Sequence, residues 1–185
     1  MLQEFHKFPQ IQNLERCSGD ILCHDVVVAE KIHGSNFRFR IHNNCLSNVP
    51  VFGSKNKLLD DISSFYISSF YSGDPVHFVM QKWYNNEFGP LWEWEICGQF
   101  KESTHSFDFY GEWAGGGVMS GIYYGQPSFY CFRIVRNGIS GVTSHVLPWD
   151  QMVNICKAIN LRFPACYAMG KVSLEQLENI LKSDS

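Results

Sequence analysis

Short segments with the character of β-strands dominate this sequence. Residues 36–42 (NFRFRIH) alternate apolar and polar side chains, and so do residues 91–98 (LWEWEICG). A period of two is typical of a strand that buries one face. Apolar and aromatic runs predict further strands at 25–32, 45–52, 107–113, 128–135 and 139–147. So many strands require a β-sheet that most of the sequence helps to build.

Helical patterns lie in the middle and at the C-terminal end of the sequence. Helical spacing of apolar residues predicts helices at 58–71, 75–86, 148–160 and 173–183, the last two joined by a loop. Ser173 followed by Gln176 has the spacing of a capping box, which predicts where the last helix begins. At 185 residues the chain is long enough for one core of ordinary size. We therefore expect a single α+β domain.

Charge and cysteine usage exclude several classes of protein. Lys and Arg number 15 and Asp and Glu 18, so the net charge of −3 leaves only a local site for nucleic acid. The seven cysteines are scattered and never spaced as CxxC, which is typical of buried reduced thiols. Neither a secretory leader nor a run of about 20 apolar residues that could span a membrane is present. A soluble protein of the reducing cytoplasm is expected.

The stretch VAEKIHGSNF (28–37) places a lysine after an apolar run and before His-Gly-Ser-Asn. Lys31 is either a solvated charge at a strand end or a nucleophile held out of water, because a lysine attacks only after losing its proton. The preceding VVVAE could supply the desolvation. In a regular strand Glu30 points to the opposite face, and His33 to the same face as Lys31. The residues alone leave both alternatives open.

A turn at 33–35 is predicted to join the strands 25–32 and 36–42. Gly34 lies in this turn, where a residue without a side chain lets backbone approach a ligand closely. Such a tight connection would place Lys31 at the end of the first strand.

Two further clusters carry possible chemistry. In FYGEWAGGG (109–117), Glu112 follows bulky aromatic residues and precedes a glycine run, which is compatible with a surface hairpin or with backbone that approaches a ligand. The run matches neither GxGxxG nor the P-loop pattern. In FYCFRI (129–134), alternation places Phe132 on the same face as Tyr130, where aromatic rings pack in a core or stack on a nucleobase.

Taken in order, EKIHGSNF, YGEWAGGGV and SFYCFRI resemble the RNA ligase 2 family of ATP-dependent covalent nucleotidyltransferases. The resemblance continues through MSGIYYG and the helical tail, from about Val26 to Lys182. It implies an antiparallel-sheet-rich nucleotidyltransferase (ATP-grasp-like ligase) domain with flanking helices, spanning residues 1–185. The family carries EG[VY]V[LI]K and Lys-x-Lys motifs after the helical segment, but this sequence ends at Ser185 before either. The resemblance thus implies a domain incomplete at its C-terminus, without a C-terminal RNA-binding domain.

The resemblance also implies roles for individual residues. Lys31 matches the nucleophile that attacks the α-phosphorus of ATP and becomes lysyl-AMP. Glu112 matches the glutamate that holds the ribose and supports Mg²⁺, and Phe132 matches the aromatic residue that stacks on adenine. Lys55, in FGSKNK, falls where the family carries a basic residue near the phosphates. The implied nucleotide-binding residues are Glu30, Lys31, His33, Asn36, Lys55, Glu112 and Phe132, with Glu112 also at the metal.

The function implied is that of an RNA ligase that uses ATP and Mg²⁺ to seal 3′-OH and 5′-phosphate ends of nicked or broken RNA. Because motifs are missing, the chain alone is expected to be impaired, and a second chain that supplies them is one further partner. One alternative is a non-catalytic remnant that binds nucleotide or RNA. Another is a capping guanylyltransferase, although the His in KIHG stands where that class usually has Asp.

Overall fold

A computed structural model describes residues 23–42, 51–55, 104–115, 124–125, 128–138 and 144–183. In chain order their elements are β1 (Val26–Ala29), β2 (Ser35–His42), β3 (Val51–Ser54), β4 (Thr104–Ala114), β5 (Ser128–Gly138), β6 (Ser144–Val146), α1 (Trp149–Ala158), β7 (Cys166–Gly170) and α2 (Leu174–Ser183). Strands thus predominate beside two helices, which confirms the α+β class for the described part of the chain. The helices predicted at 58–71 and 75–86 and the strand predicted at 91–98 lie outside the described residues.

The described elements belong to two compact units. The first comprises β2 to α1 and the residues that follow, within Ile32–Phe163, and the second comprises residues 23–31 and 164–183. A single nucleotidyltransferase domain over 1–185 therefore stays a prediction.

The first unit contains a five-stranded sheet in the order β3-β2-β4-β5-β6. Every neighbouring pair of its strands is antiparallel. The central strands β4 and β5 each extend beyond the segments predicted for them, to 11 residues. The described part of the segment predicted at 45–52 belongs to β3, and that of the segment at 139–147 contributes β6.

One face of this sheet is apolar and carries α1. Its centre is a set of aromatic rings, in which Phe39 of β2 stacks on Phe109 of β4 with 4.7 Å between centroids. Met152, Ile155 and Cys156 of α1 belong to the same buried cluster. Fully burying such side chains stabilises a fold by about 1.5–3 kcal/mol each. The alternation in the sequence thus fixes this face as the core of the first unit.

The second unit contains the antiparallel pair β1 and β7, with Val26 opposite Gly170. Two predictions are wrong here. The first strand ends at Ala29 and pairs with β7, so no tight turn joins it to β2, which already begins at Ser35. The segment before the last helix, which was expected to be a loop, contains β7. Pairing with the distant strand β1 makes this segment a strand, and the residues of the segment do not by themselves predict that pairing.

The capping box predicted for the last helix is confirmed. The backbone N–H of Gln176 donates to Ser173 Oγ at 3.2 Å, and the backbone N–H of Ser173 donates to Gln176 Oε1 at 2.8 Å. These bonds satisfy backbone donors that the first helical turn leaves without a partner inside the helix. Among the described residues, no helix is both long and apolar enough to cross a membrane.

Candidate functional site

Two polar side chains meet at one end of the five-stranded sheet. Asn36, near the start of β2, lies opposite Glu112, near the end of β4. The Asn36 side-chain amide donates a hydrogen bond to Glu112 Oε1. Glu112 is only 9% exposed, and burying a carboxylate is costly unless donors surround it. The register of β2 on β4 therefore brings together two residues that the sequence predicts for one site.

A β-bulge in β5 sets the position of Phe132. Tyr110 of β4 pairs with Arg133, whereas the next residue, Gly111, pairs with Cys131. Phe132 is thus the extra residue of the bulged strand, and a bulge of this kind redirects the side chains around it.

The glycine opposite the bulge is required by close packing. A Cβ atom on Gly111 would lie 2.3 Å from the carbonyl oxygen of Tyr130 and 2.4 Å from the ring of Phe129. Real Cβ atoms do not approach other atoms this closely. We conclude that the irregular pairing beside Phe132 depends on a residue without a side chain at position 111.

Phe132 lies on the face of the sheet that carries Glu112. It packs against Tyr110 and Val135, which form a small cluster apart from the main core. Tyr110 and Glu112 share a face because they are two residues apart in one strand. Tyr130 pairs directly with Glu112 and points the same way. The shared face predicted for Tyr130 and Phe132 is therefore observed.

The sheet face that carries Phe132 also contains buried cationic and aromatic groups. Arg38 hydrogen bonds to the Tyr110 hydroxyl, and the Arg133 guanidinium lies over the Tyr110 ring, 5.9 Å from its centroid. Burial lowers the pKa of Arg38, although Tyr110 and Asp108 oppose the shift. Burial, together with the negative charge of Asp108, raises the pKa of Tyr110 to about 12. Tyr110 therefore remains a neutral phenol at physiological pH.

A buried ion pair completes this face. Arg40 Nε lies 2.5 Å from Asp108 Oδ1, and Arg40 Nη2 lies 2.7 Å from Asp108 Oδ2. The two residues are directly opposite in β2 and β4, and both side chains are almost fully buried. Such a bidentate arrangement has the geometry that best offsets the desolvation of both charges.

His33 and Gly34 lie close to the end of β4 that carries Glu112. The backbone N–H of His33 donates to the Tyr124 hydroxyl at 3.2 Å, and the His33 side chain is exposed. A Cβ atom on Gly34 would lie 2.4 Å from the carbonyl oxygen of Trp113. The glycine in KIHG therefore allows the chain to pass tightly against β4, and the close approach to a ligand expected from the sequence stays a prediction.

Lys55 follows directly after β3. The last residue of that strand, Ser54, pairs with Phe37, so the backbone of Lys55 lies at the same end of the sheet as Asn36. The Lys55 side chain is exposed. Its position suits an exposed cation at the rim of this site.

Lys31 and Glu30 belong to the second unit. The backbone N–H of Glu30 donates to the carbonyl oxygen of Ala165 at 2.8 Å, which continues the pairing of this segment beyond β1. Lys31 is exposed, which agrees with the first of the two alternatives, a solvated charge, and the desolvation that VVVAE could supply is not found. The physical reason is that β1 ends at Ala29, two residues earlier.

The donor set at Glu112 suits a metal that the protein holds loosely. Within the described ranges, no group of three or more His, Cys, Asp or Glu could hold a metal ion. Glu112 contributes one carboxylate, and Asn36 one amide. Mg²⁺ accepts one or two carboxylates and completes its coordination with waters and substrate phosphates. The residues present therefore fit Mg²⁺ that arrives with a nucleotide, and they do not fit a metal held by protein alone.

Tyr124 and Arg162, which sequence patterns did not assign to the site, border it beside Tyr130. The rings of Tyr124 and Tyr130 lie 5.6 Å apart, and the guanidinium of Arg162 lies over Tyr130. Arg162 lies in the part of the sequence that was expected to be a loop. The only local signal was the tyrosine that alternates with Phe132, since nothing in the sequence states which segment pairs with β5.

Comparison with known protein families identifies the class. A model of the RNA ligase family matches residues 24–185. The chain belongs to the RNA ligase family, which confirms the resemblance carried by its three clusters and supports an RNA ligase-like function. A search of curated proteins finds no significant match.

Proposed function

We propose that the protein is an ATP-dependent RNA ligase that forms lysyl-AMP at Lys31 and joins 3′-OH and 5′-phosphate RNA ends in the cytoplasm. The observation that supports this most is the pairing of Asn36 with Glu112 on the face that carries Phe132, in a chain of the RNA ligase family. A carboxylate and an aromatic ring on one sheet face are groups that can hold a ribose and a nucleobase.

In the first step the deprotonated Nζ of Lys31 attacks the α-phosphorus of ATP. A P–N bond forms, the bond between the α-phosphorus and the bridging oxygen breaks, and pyrophosphate leaves with the electron pair. The 5′-phosphate of the RNA then displaces the lysine from AMP. Finally the 3′-OH attacks that phosphate and AMP departs, so each step exchanges one bond at phosphorus for another.

The other residues implied by the family resemblance would bind and orient the nucleotide. Phe132 stacks on adenine, Glu112 accepts from the ribose, and Asn36 keeps the Glu112 carboxylate in place. His33 and Lys55 are exposed groups that can contact phosphate oxygens, and Glu30 lies beside the nucleophile. Glu112 would hold Mg²⁺, which when bound neutralises phosphate charge. Phosphoryl transfer gains mainly from such positioning and from cations.

The test is covalent labelling. The protein is incubated with Mg²⁺ and ATP labelled at the α-phosphate, and label retained on the denatured chain is measured. We expect label that is released by acid, as a P–N bond is, and that is lost in Lys31→Ala and Lys31→Arg. Lys157→Ala is the matched control, because Lys157 is an exposed lysine on α1, which packs on the apolar face. Absence of label in the unmodified protein would refute lysyl-AMP formation by this chain alone.

A binding experiment separates catalysis from retention of nucleotide alone. Calorimetry with AMP, ATP and GTP is compared between the unmodified protein and Phe132→Ala. Adenine-dependent binding that requires Phe132, without covalent label, would replace the ligase proposal by that of a nucleotide-binding remnant. Tighter binding of GTP than of ATP, together with stronger covalent label when GTP labelled at the α-phosphate replaces ATP, would instead favour guanylyl transfer.

A further inference from the structure

The row of site residues continues across the sheet to an arginine. Asn36 of β2 pairs with Glu112 of β4, and Glu112 pairs with Tyr130 of β5. On its other side Tyr130 forms a parallel bridge with Arg162. Neighbouring strands are about 4.8 Å apart, so the backbones of Glu112 and Arg162 are separated by about 10 Å. The backbone of an arginine therefore lies two strand spacings from the backbone of the glutamate in the candidate nucleotide site.

The guanidinium of Arg162 is held in place by Tyr130. Arg162 Nη1 donates to the Tyr130 hydroxyl at 3.0 Å, and the guanidinium carbon lies 5.7 Å from the centre of the same ring. Arg162 remains exposed. Its planar group carries five N–H donors, and the tyrosine hydroxyl accepts from only one nitrogen. The remaining N–H donors can therefore bind an oxyanion. Because Tyr130 already holds the side chain, binding costs little further conformational entropy.

The side chain of Arg162 is not needed to attach its segment to the sheet. The backbone already does this, since the N–H of Cys131 donates to the carbonyl oxygen of Arg162 at 2.8 Å. The buried side chains of Ile159 and Leu161 anchor the same segment in the core. An exposed arginine stacked on a tyrosine contributes little further stability. Stabilisation of the fold therefore does not account for an arginine held on Tyr130 at this position.

We propose that Arg162, oriented by Tyr130, binds a substrate phosphate beside the candidate nucleotide site. The inference rests on the proposed function and adds a phosphate-binding residue to it. The oxyanion belongs either to the phosphates of the nucleotide or to the backbone of the RNA. Both present the oxygen pair that a guanidinium binds bidentately. Tyr124, in contact with Tyr130, extends this surface by a second aromatic ring that can support a nucleobase.

The test compares two probes with one set of variants. Binding of ATP with Mg²⁺ is measured by calorimetry, and binding of a fluorescein-labelled nicked RNA duplex by anisotropy over a range of salt concentrations. The variants are Arg162→Ala, Arg162→Lys and Tyr130→Phe, with Lys157→Ala as the control for loss of an exposed cation. Thermal unfolding of each variant is measured as a control for folding. If Arg162→Ala does not fold, the comparison uses Arg162→Lys and Tyr130→Phe.

We expect Arg162→Ala to weaken one probe about tenfold, Arg162→Lys and Tyr130→Phe to weaken it less, and Lys157→Ala to leave it unchanged. A weakened RNA probe with a smaller salt dependence assigns the phosphate to the RNA backbone. A weakened ATP probe assigns it to the nucleotide. Equal binding of both probes by all variants, or no binding by the unmodified protein, overturns the inference.

Covalent labelling of the same samples keeps the two proposals separate. Arg162-dependent binding without label at Lys31 would overturn lysyl-AMP formation and leave the phosphate site standing. Label at Lys31 with binding indifferent to Arg162 would do the opposite.

Discussion

Asn36 on β2 donates a hydrogen bond to Glu112 on β4, although the two residues lie 76 positions apart in the sequence. The pairing register of the two strands creates this contact, which fixes the carboxylate that we place at the ribose and the metal. A buried carboxylate in fixed orientation is a group that stabilises charge as it develops.

The charge of Glu112 can be removed without changing its shape. Glu112→Gln keeps an oxygen that accepts from Asn36 but cannot neutralise a cation. We expect it to lower the rate of lysyl-AMP formation by about 10²-fold, with little change in the melting temperature. Glu178→Gln on α2, an exposed position, is the control and should label normally. A normal rate in Glu112→Gln would remove Glu112 from the mechanism.

The buried pair of Arg40 and Asp108 should matter for stability. Asp108→Asn leaves a guanidinium buried without its counter-ion, so the free energy of unfolding should fall by about 3–5 kcal/mol. Asp150→Asn removes an exposed carboxylate from the first turn of α1 and should cost about 0.3–1 kcal/mol. Urea unfolding measures both. Similar losses in the two variants would contradict a structural role for the buried pair.

The raised pKa of Tyr110 predicts a pH dependence of stability. The phenol loses its proton near pH 10.0 in the unfolded chain and near 12 in the fold. The folded state therefore binds the proton more tightly, and this contribution, complete below pH 10.0, is lost as pH rises toward 12. Two pKa units correspond to about 2.7 kcal/mol.

Tyr110→Phe lacks this titration and supplies the comparison. Urea unfolding at several pH values between about 9 and 11.5 should show the free energy of unfolding falling more steeply in the unmodified protein than in the variant. Parallel curves would mean that Tyr110 titrates alike in both states.

Close packing at Gly34 and Gly111 can be tested against a glycine with free space. Gly34→Ala and Gly111→Ala introduce a Cβ within 2.4 Å and 2.3 Å of backbone oxygen, so we expect losses of about 1–3 kcal/mol or more. Gly170→Ala meets no atom within 4 Å, and only its positive φ of 97° opposes it, at about 1 kcal/mol. Gly111→Ala should also weaken AMP binding, because the bulge positions Phe132. An order of stability with Gly170→Ala lowest would contradict this account.

Within the described residues, the sequence by itself determined the type of every strand and helix except β7, the apolar face of β2 and the capping box of α2. These features depend on local periodicity and on hydrogen bonds between residues three positions apart, and both can be read from neighbouring residues in the sequence. The residue types at positions 112 and 132 were compatible with a nucleotide site, and position 36 was assigned to it only by the family resemblance. Their family resemblance strengthened that interpretation.

Only the tertiary structure decided which segments pair. The residues CYAMG do not by themselves predict that β7 pairs with β1. The residues around Arg162 likewise do not predict that it pairs with Tyr130. The sequence did not predict the bulge at Phe132, and it left open which of the two alternatives holds for Lys31. Pairing between distant strands is selected by the packing of a whole face, because each strand offers the same backbone groups to any neighbour.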